Sequence, residues 1–162
     1  MPTSAEPPTS VRSVQWDYRE VFGRNEAQTR SVLRVRDVRP FVMDEPLERG
    51  GTNSGPTPQE AVLAALAGEQ GVLIHLLGEQ LDFSYRAVDL HVLGAIDRAH
   101  RPYAKQVTLE VRLDTDESPD RMAELRTRVE ERCPVLNLMR DAGVELTVNW
   151  SRAASGGGDQ PM

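Results

Sequence analysis

Two side chains have a type and a setting that invite chemistry, Glu69 and Cys133. Glu69 directly follows the apolar run from Ala61 to Gly68. A carboxylate beside a buried helical stretch is costly unless paired. The position therefore reads either as a general acid/base in a partly dry site or as the start, with Gln70, of a wet helix face. Cys133 is the only cysteine in 162 residues, so no intrachain disulfide can form. It precedes Pro134 at a helix-cap position, where free N–H groups and the adjacent Arg132 favour a negative sulfur. Its other reading is a small buried residue that happens to be a thiol. His75, His91 and His100 are too widely spaced for a metal site. The Gly50–Gly55 segment lacks the Gly-Lys-Ser/Thr ending of a phosphate-binding loop. Neither a metal nor a cofactor is expected.

The elements that must hold these residues follow from hydrophobic periodicity. Val14, Trp16 and Tyr18 alternate as a strand, and Ser31, Leu33 and Val35 as a second, with turn chemistry at Gly23-Arg24-Asn25 between them. Phe41–Asp44 supplies a short third strand. Thr57-Pro58-Gln59-Glu60 carries an N-cap, a proline in the first turn and a capping-box glutamate. A long helix should run from Pro58 to about Leu81. Its stretch Ala61–Gly68 is apolar on every side, which predicts burial all round. Strands are expected at Tyr85–Ile96, Val107–Leu113 and Val144–Trp150. Ser118-Pro119 and Cys133-Pro134 each open a helix before the last strand, and Gly143 ends the second. Strands clustered around a central helix predict an α+β fold, with a mainly antiparallel sheet packed on helices.

Composition sets the outer bounds. Hydrophobic residues make up 39% and charged residues 27%, near the averages of globular domains. One domain over residues 11–150 is expected, with disordered ends at 1–10 and 151–162, where the sequence is polar and rich in Pro, Ser or Gly. The net charge of -6 argues against a nucleic-acid partner. No apolar run reads as a membrane span, and Met1–Ser10 lacks the pattern of a secretory signal. The expected compartment is the cytoplasm. Lys105 is the lone lysine among many arginines, a bias that suggests a GC-rich bacterial genome.

Three runs, in order, resemble the OsmC/Ohr family of small bacterial thiol peroxidases and their relatives. The first is Asp44-Glu45-Pro46 through Gly50-Gly51-Thr52-Asn53-Ser54-Gly55-Pro56-Thr57-Pro58. The second is the small-residue run Ala64-Ala65-Leu66-Ala67-Gly68, and the third is Arg132-Cys133-Pro134-Val135. The resemblance covers about Val11 to Trp150. It implies an OsmC-like fold and an intertwined homodimer with a pocket at its interface. It also implies a link to oxidative stress through reduction of organic hydroperoxides. In that chemistry a first cysteine on the central helix attacks the peroxide and a second resolves it to a disulfide. The position matching the first cysteine holds Glu69, and only the second, Cys133, is present. A carboxylate cannot perform the sulfur redox step. The resemblance therefore implies a member without the two-cysteine cycle, binding a small apolar or anionic molecule in the interface pocket. The alternative is a divergent enzyme, with Cys133 as a one-cysteine thiol reductant or Glu69 as a general acid/base.

Overall fold

The computed structural model describes residues 19–96 and 104–153. The strand expected at Val14–Tyr18 lies outside them, as do His100 and most of the expected C-terminal tail. Contacts divide the chain into two compact units, one up to Gly55 and one from Pro56 onward.

The first unit is a three-stranded antiparallel sheet in the order β1 (Phe22–Ala27), β2 (Arg30–Arg34), β3 (Phe41–Met43). The turn between β1 and β2 falls at Gln28-Thr29, not at the expected Gly23-Arg24-Asn25. Gln28 takes the left-handed conformation, with φ 44°, and Asn25 Nδ2 donates to its carbonyl at 3.1 Å. Gly23 is instead a strand residue opposite Leu33. A Cβ there would stand 2.9 Å from Leu33 Cδ2, so the glycine makes room for a neighbour and does not bend the chain. A loop containing a single 3-10 turn, Leu47–Arg49, follows β3. In it the backbone passes very close to itself. A Cβ on Gly51 would lie 1.8 Å from the Glu45 carbonyl oxygen, and one on Gly55 2.2 Å from that of Val42. Those contacts explain two glycines of the Gly-Gly-Thr-Asn-Ser-Gly-Pro run.

The second unit holds α1 (Pro58–Gln80), β4 (Ala87–Ile96), β5 (Ala104–Asp114), α2 (Pro119–Arg132), α3 (Pro134–Asp141) and β6 (Glu145–Arg152). Its sheet has the order β4-β5-β6. β4 and β5 are antiparallel, whereas β6 joins β5 in parallel, with Gln106 opposite Glu145 and Leu113 opposite Arg152. The α2–α3 pair is the crossover that a parallel neighbour requires. The sheet pairs are thus mainly antiparallel, and the architecture is the expected α+β. β6 also continues through Ser151 and Arg152, which the sequence placed in the tail.

Alternation along β5 buries Val107, Leu109, Val111 and Leu113 on one face. Onto that face pack two clusters from the helices. One joins Ile74 and Leu77 of α1 to Leu125 and Val129 of α2, and the other joins Leu66 of α1 to Cys133, Leu136 and Met139. By length and composition α1 could cross a membrane. The fold uses its apolar character differently, because Leu66, Ile74 and Leu77 are core residues of this unit.

Candidate functional site

The start of α1 is built as its sequence dictates. Thr57 caps the helix, its hydroxyl accepting from Glu60 N at 3.2 Å while Glu60 Oε2 accepts from Thr57 N at 2.7 Å. Pro58 occupies the first turn, where its missing N–H is not needed. Burial along the helix departs from the expectation of an all-round buried stretch. Val62, Val72 and Leu76 stand 52%, 53% and 48% exposed. With Ala65 and Glu69 they occupy positions 62, 65, 69, 72 and 76, an alternating three- and four-residue spacing that marks one stripe of a helix. The sheet and the other helices cover only the opposite side of α1.

Glu69 is half-buried in the middle of this stripe, and no hydrogen bond or ion pair joins it to another described residue. Of the wet face that is one reading of Glu69 and Gln70, Glu69 takes part and Gln70 does not. Gln70 is fully buried, between Leu66 and Ile74 on the covered side, and neither its Oε1 nor its Nε2 has a partner. Helical periodicity alone could have suggested this, since residue 70 shares a face with 66, 74 and 77. Beside the stripe, Glu60, Leu63, Ala64, Ala67 and Val92 line a shallow apolar cleft of about 240 Å³.

Cys133 caps α3 as expected, its Sγ accepting from Leu136 N at 3.4 Å. It is 0% exposed, enclosed by Leu66, Val107, Leu136 and Met139. Leu66 and Glu69 are three residues apart and adjacent on the helix surface. Cys133 therefore packs against the turn of α1 that carries Glu69, but from the core side, while Glu69 belongs to the open stripe.

Two charged clusters were not anticipated from sequence. Asp44 is buried and accepts from Thr29 Oγ1 at 2.7 Å, Thr52 N at 2.9 Å, Thr52 Oγ1 at 2.5 Å, Ser54 Oγ at 3.0 Å and Glu45 N at 2.9 Å. The hydroxyls of Thr52 and Thr29, followed by backbone N–H groups, hold its carboxyl well below the usual range, against the opposing effect of burial. The second cluster is on the surface, where Arg86 spans Asp114 at 2.5 Å and Asp116 at 2.5 Å. Hydrogen bonds from Arg86 lower both carboxyls and raise the guanidinium. Both clusters are structural clasps. Among the described residues no group of His, Cys, Asp and Glu could hold a metal ion.

A search of curated protein sequences finds no match. Solved structures give a clear likeness of fold. An OsmC-like protein from Mycoplasma pneumoniae superposes with a TM-score of 0.77 at 15% identity, covering 85% of this chain and 99% of its own. An organic hydroperoxide resistance protein from Legionella pneumophila gives 0.66 at 15% identity, covering 86% and 99%. The organic hydroperoxide resistance protein OhrB of Bacillus subtilis gives 0.60 at 18% identity, covering 83% and 98%. At such identities the likeness is one of fold. The sequence pattern of the OsmC-like protein family matches residues 51–149, a span that contains α1 with Glu69 and the Cys133 cap. The chain belongs to the OsmC-like protein family.

Proposed function

We propose that this chain is a cytoplasmic, homodimeric OsmC-like protein that binds a small molecule beside α1 and does not run a two-cysteine peroxidase cycle. The observation that carries this reading is the thiol inventory. The chain holds one cysteine, and that cysteine is fully buried. Cleaving a peroxide O–O bond takes an accessible thiolate, and closing an internal disulfide takes a second thiol. Glu69, at the position the resemblance assigns to the first cysteine, offers neither.

The dimer is supported by apolar surface that each unit leaves open. The stripe on α1 is one such surface. The three-stranded sheet is another, with Phe22 and Phe41 exposed and Val32 its only buried hydrophobic residue among the described residues. A sheet with so little core needs a further surface to cover it. The apolar cleft at Leu63, Ala64, Ala67 and Val92 borders the α1 stripe, so a second copy on that stripe would deepen it into a binding pocket. The test is turnover of cumene hydroperoxide with a dithiol reductant, compared with a two-cysteine relative. Turnover near background is expected. A rate comparable to the relative would overturn the reading.

A further inference from the structure

A second cleft, of about 320 Å³, opens where α2 runs past the end of β6, and it involves neither Glu69 nor Cys133. Pro119, Met122, Ala123 and Trp150 give it an apolar lining, and Arg126 and Arg152 supply its charge. We propose that this cleft binds a small aromatic carboxylate.

Its size sits at the small end of ligand sites, which suits a single ring. The indole of Trp150, with Met122 nearby, offers a face on which a flat ring can lie. Both arginines are anchored, so they are held at the cleft instead of sweeping through solvent. Arg126 donates from Nε to Glu130 Oε1 at 2.6 Å and from Nη2 to the Val148 carbonyl at 3.1 Å. Arg152 donates from Nη2 to the Glu117 carbonyl. A guanidinium carries five N–H donors, so each retains capacity for an anion. Glu130 offsets part of the charge of Arg126, and Asp116 does the same for Arg152. A carboxylate is the acceptor that answers two guanidinium groups together.

The full chain contains two tryptophans, so its 1H–15N spectrum holds two indole signals, and Trp16→Phe assigns the one from Trp150. Titration with benzoate should shift the Trp150 signal saturably, and benzamide, of the same shape without the charge, should shift it far less. Arg152→Gln and Arg126→Gln should each weaken benzoate binding by about 3- to 10-fold, in keeping with partly exposed charge contacts. Arg152→Gln keeps the test valid if loss of the Val148 anchor unsettles Arg126→Gln. The proposal is overturned if benzoate gives no saturable shift at Trp150, if benzamide binds equally well, or if Arg152→Gln binds benzoate as the parent does.

Discussion

Cys133 and Gln70 show how one side chain can read differently in a sequence and in a core. A cysteine before a proline at a helix start suggests a poised thiolate, yet Cys133 has no exposed surface and spends its sulfur as a helix cap. Modification must wait for local opening. Iodoacetamide should therefore label Cys133 at pH 7 at least about 100-fold more slowly in the native protein than in urea. Labelling at equal rates would show that the thiol is accessible. Gln70 presents the opposite case, a polar residue in the core with both amide atoms unpaired. Leaving such groups without partners costs about 1–3 kcal/mol. Gln70→Met, similar in length and apolar, should raise Tm by a few degrees for a chain of this size. An unchanged or lower Tm would mean that something outside the chain satisfies the amide.

At the scale of elements, the loop between β3 and α1 is built around Asp44 and two glycines. A Cβ on Gly51 would overlap the Glu45 carbonyl, so Gly51→Ala must move backbone and should destabilise the protein by about 2–4 kcal/mol in urea unfolding. Asp44 ties the loop to β2–β3 through Thr29, Thr52 and Ser54. Its carboxyl is depressed by those donors, as are Asp114 and Asp116 by Arg86, and Glu117 by the Ser84 N–H and by Arg121. A depressed carboxyl contributes stability that is complete above its unfolded value of about 4 and is lost as pH falls toward the folded value. Thermal melting should thus be insensitive to these groups near neutral pH and fall steeply below about pH 4. Asp44→Asn should melt lower than wild type at pH 7, and the gap between the two should begin to narrow as pH falls below about 4. A constant gap across that range would remove Asp44 from the acid response.

For the whole molecule, the decisive feature is apolar surface that one chain does not cover. The α1 stripe has Val62, Val72 and Leu76 about half exposed along a helix of 23 residues. Sedimentation should find a dimer at micromolar concentration. Val72→Asp, which places a charge in the stripe without touching the core side of α1, should weaken association by tenfold or more, or about 1.4 kcal/mol. A monomer in the wild type, or a dimer indifferent to Val72→Asp, would show that α1 is not the contact.

Much of the fold was present in local sequence. Thr57-Pro58-Gln59-Glu60 specified the start of α1, Ser118-Pro119 and Cys133-Pro134 the starts of α2 and α3, and the alternation of Val107 to Leu113 the core strand, because caps and periodicities act within a turn or a pleat. That the chain holds a single cysteine was equally plain, since a residue type needs no coordinates. Other features depend on partners distant in the chain, and only the tertiary structure decided them. The β1–β2 turn lies at Gln28-Thr29, and that register makes Gly23 a strand residue opposite Leu33. β6 became parallel because two helices carry the chain back across the sheet. Asp44 became a hub through residues 8, 10 and 15 positions away. The run Ala61–Gly68, apolar on every side, could not say which side this chain would cover. Packing against the sheet and the α2–α3 pair chose Leu66, Gln70 and Ile74, and left Val62, Glu69 and Val72 facing outward.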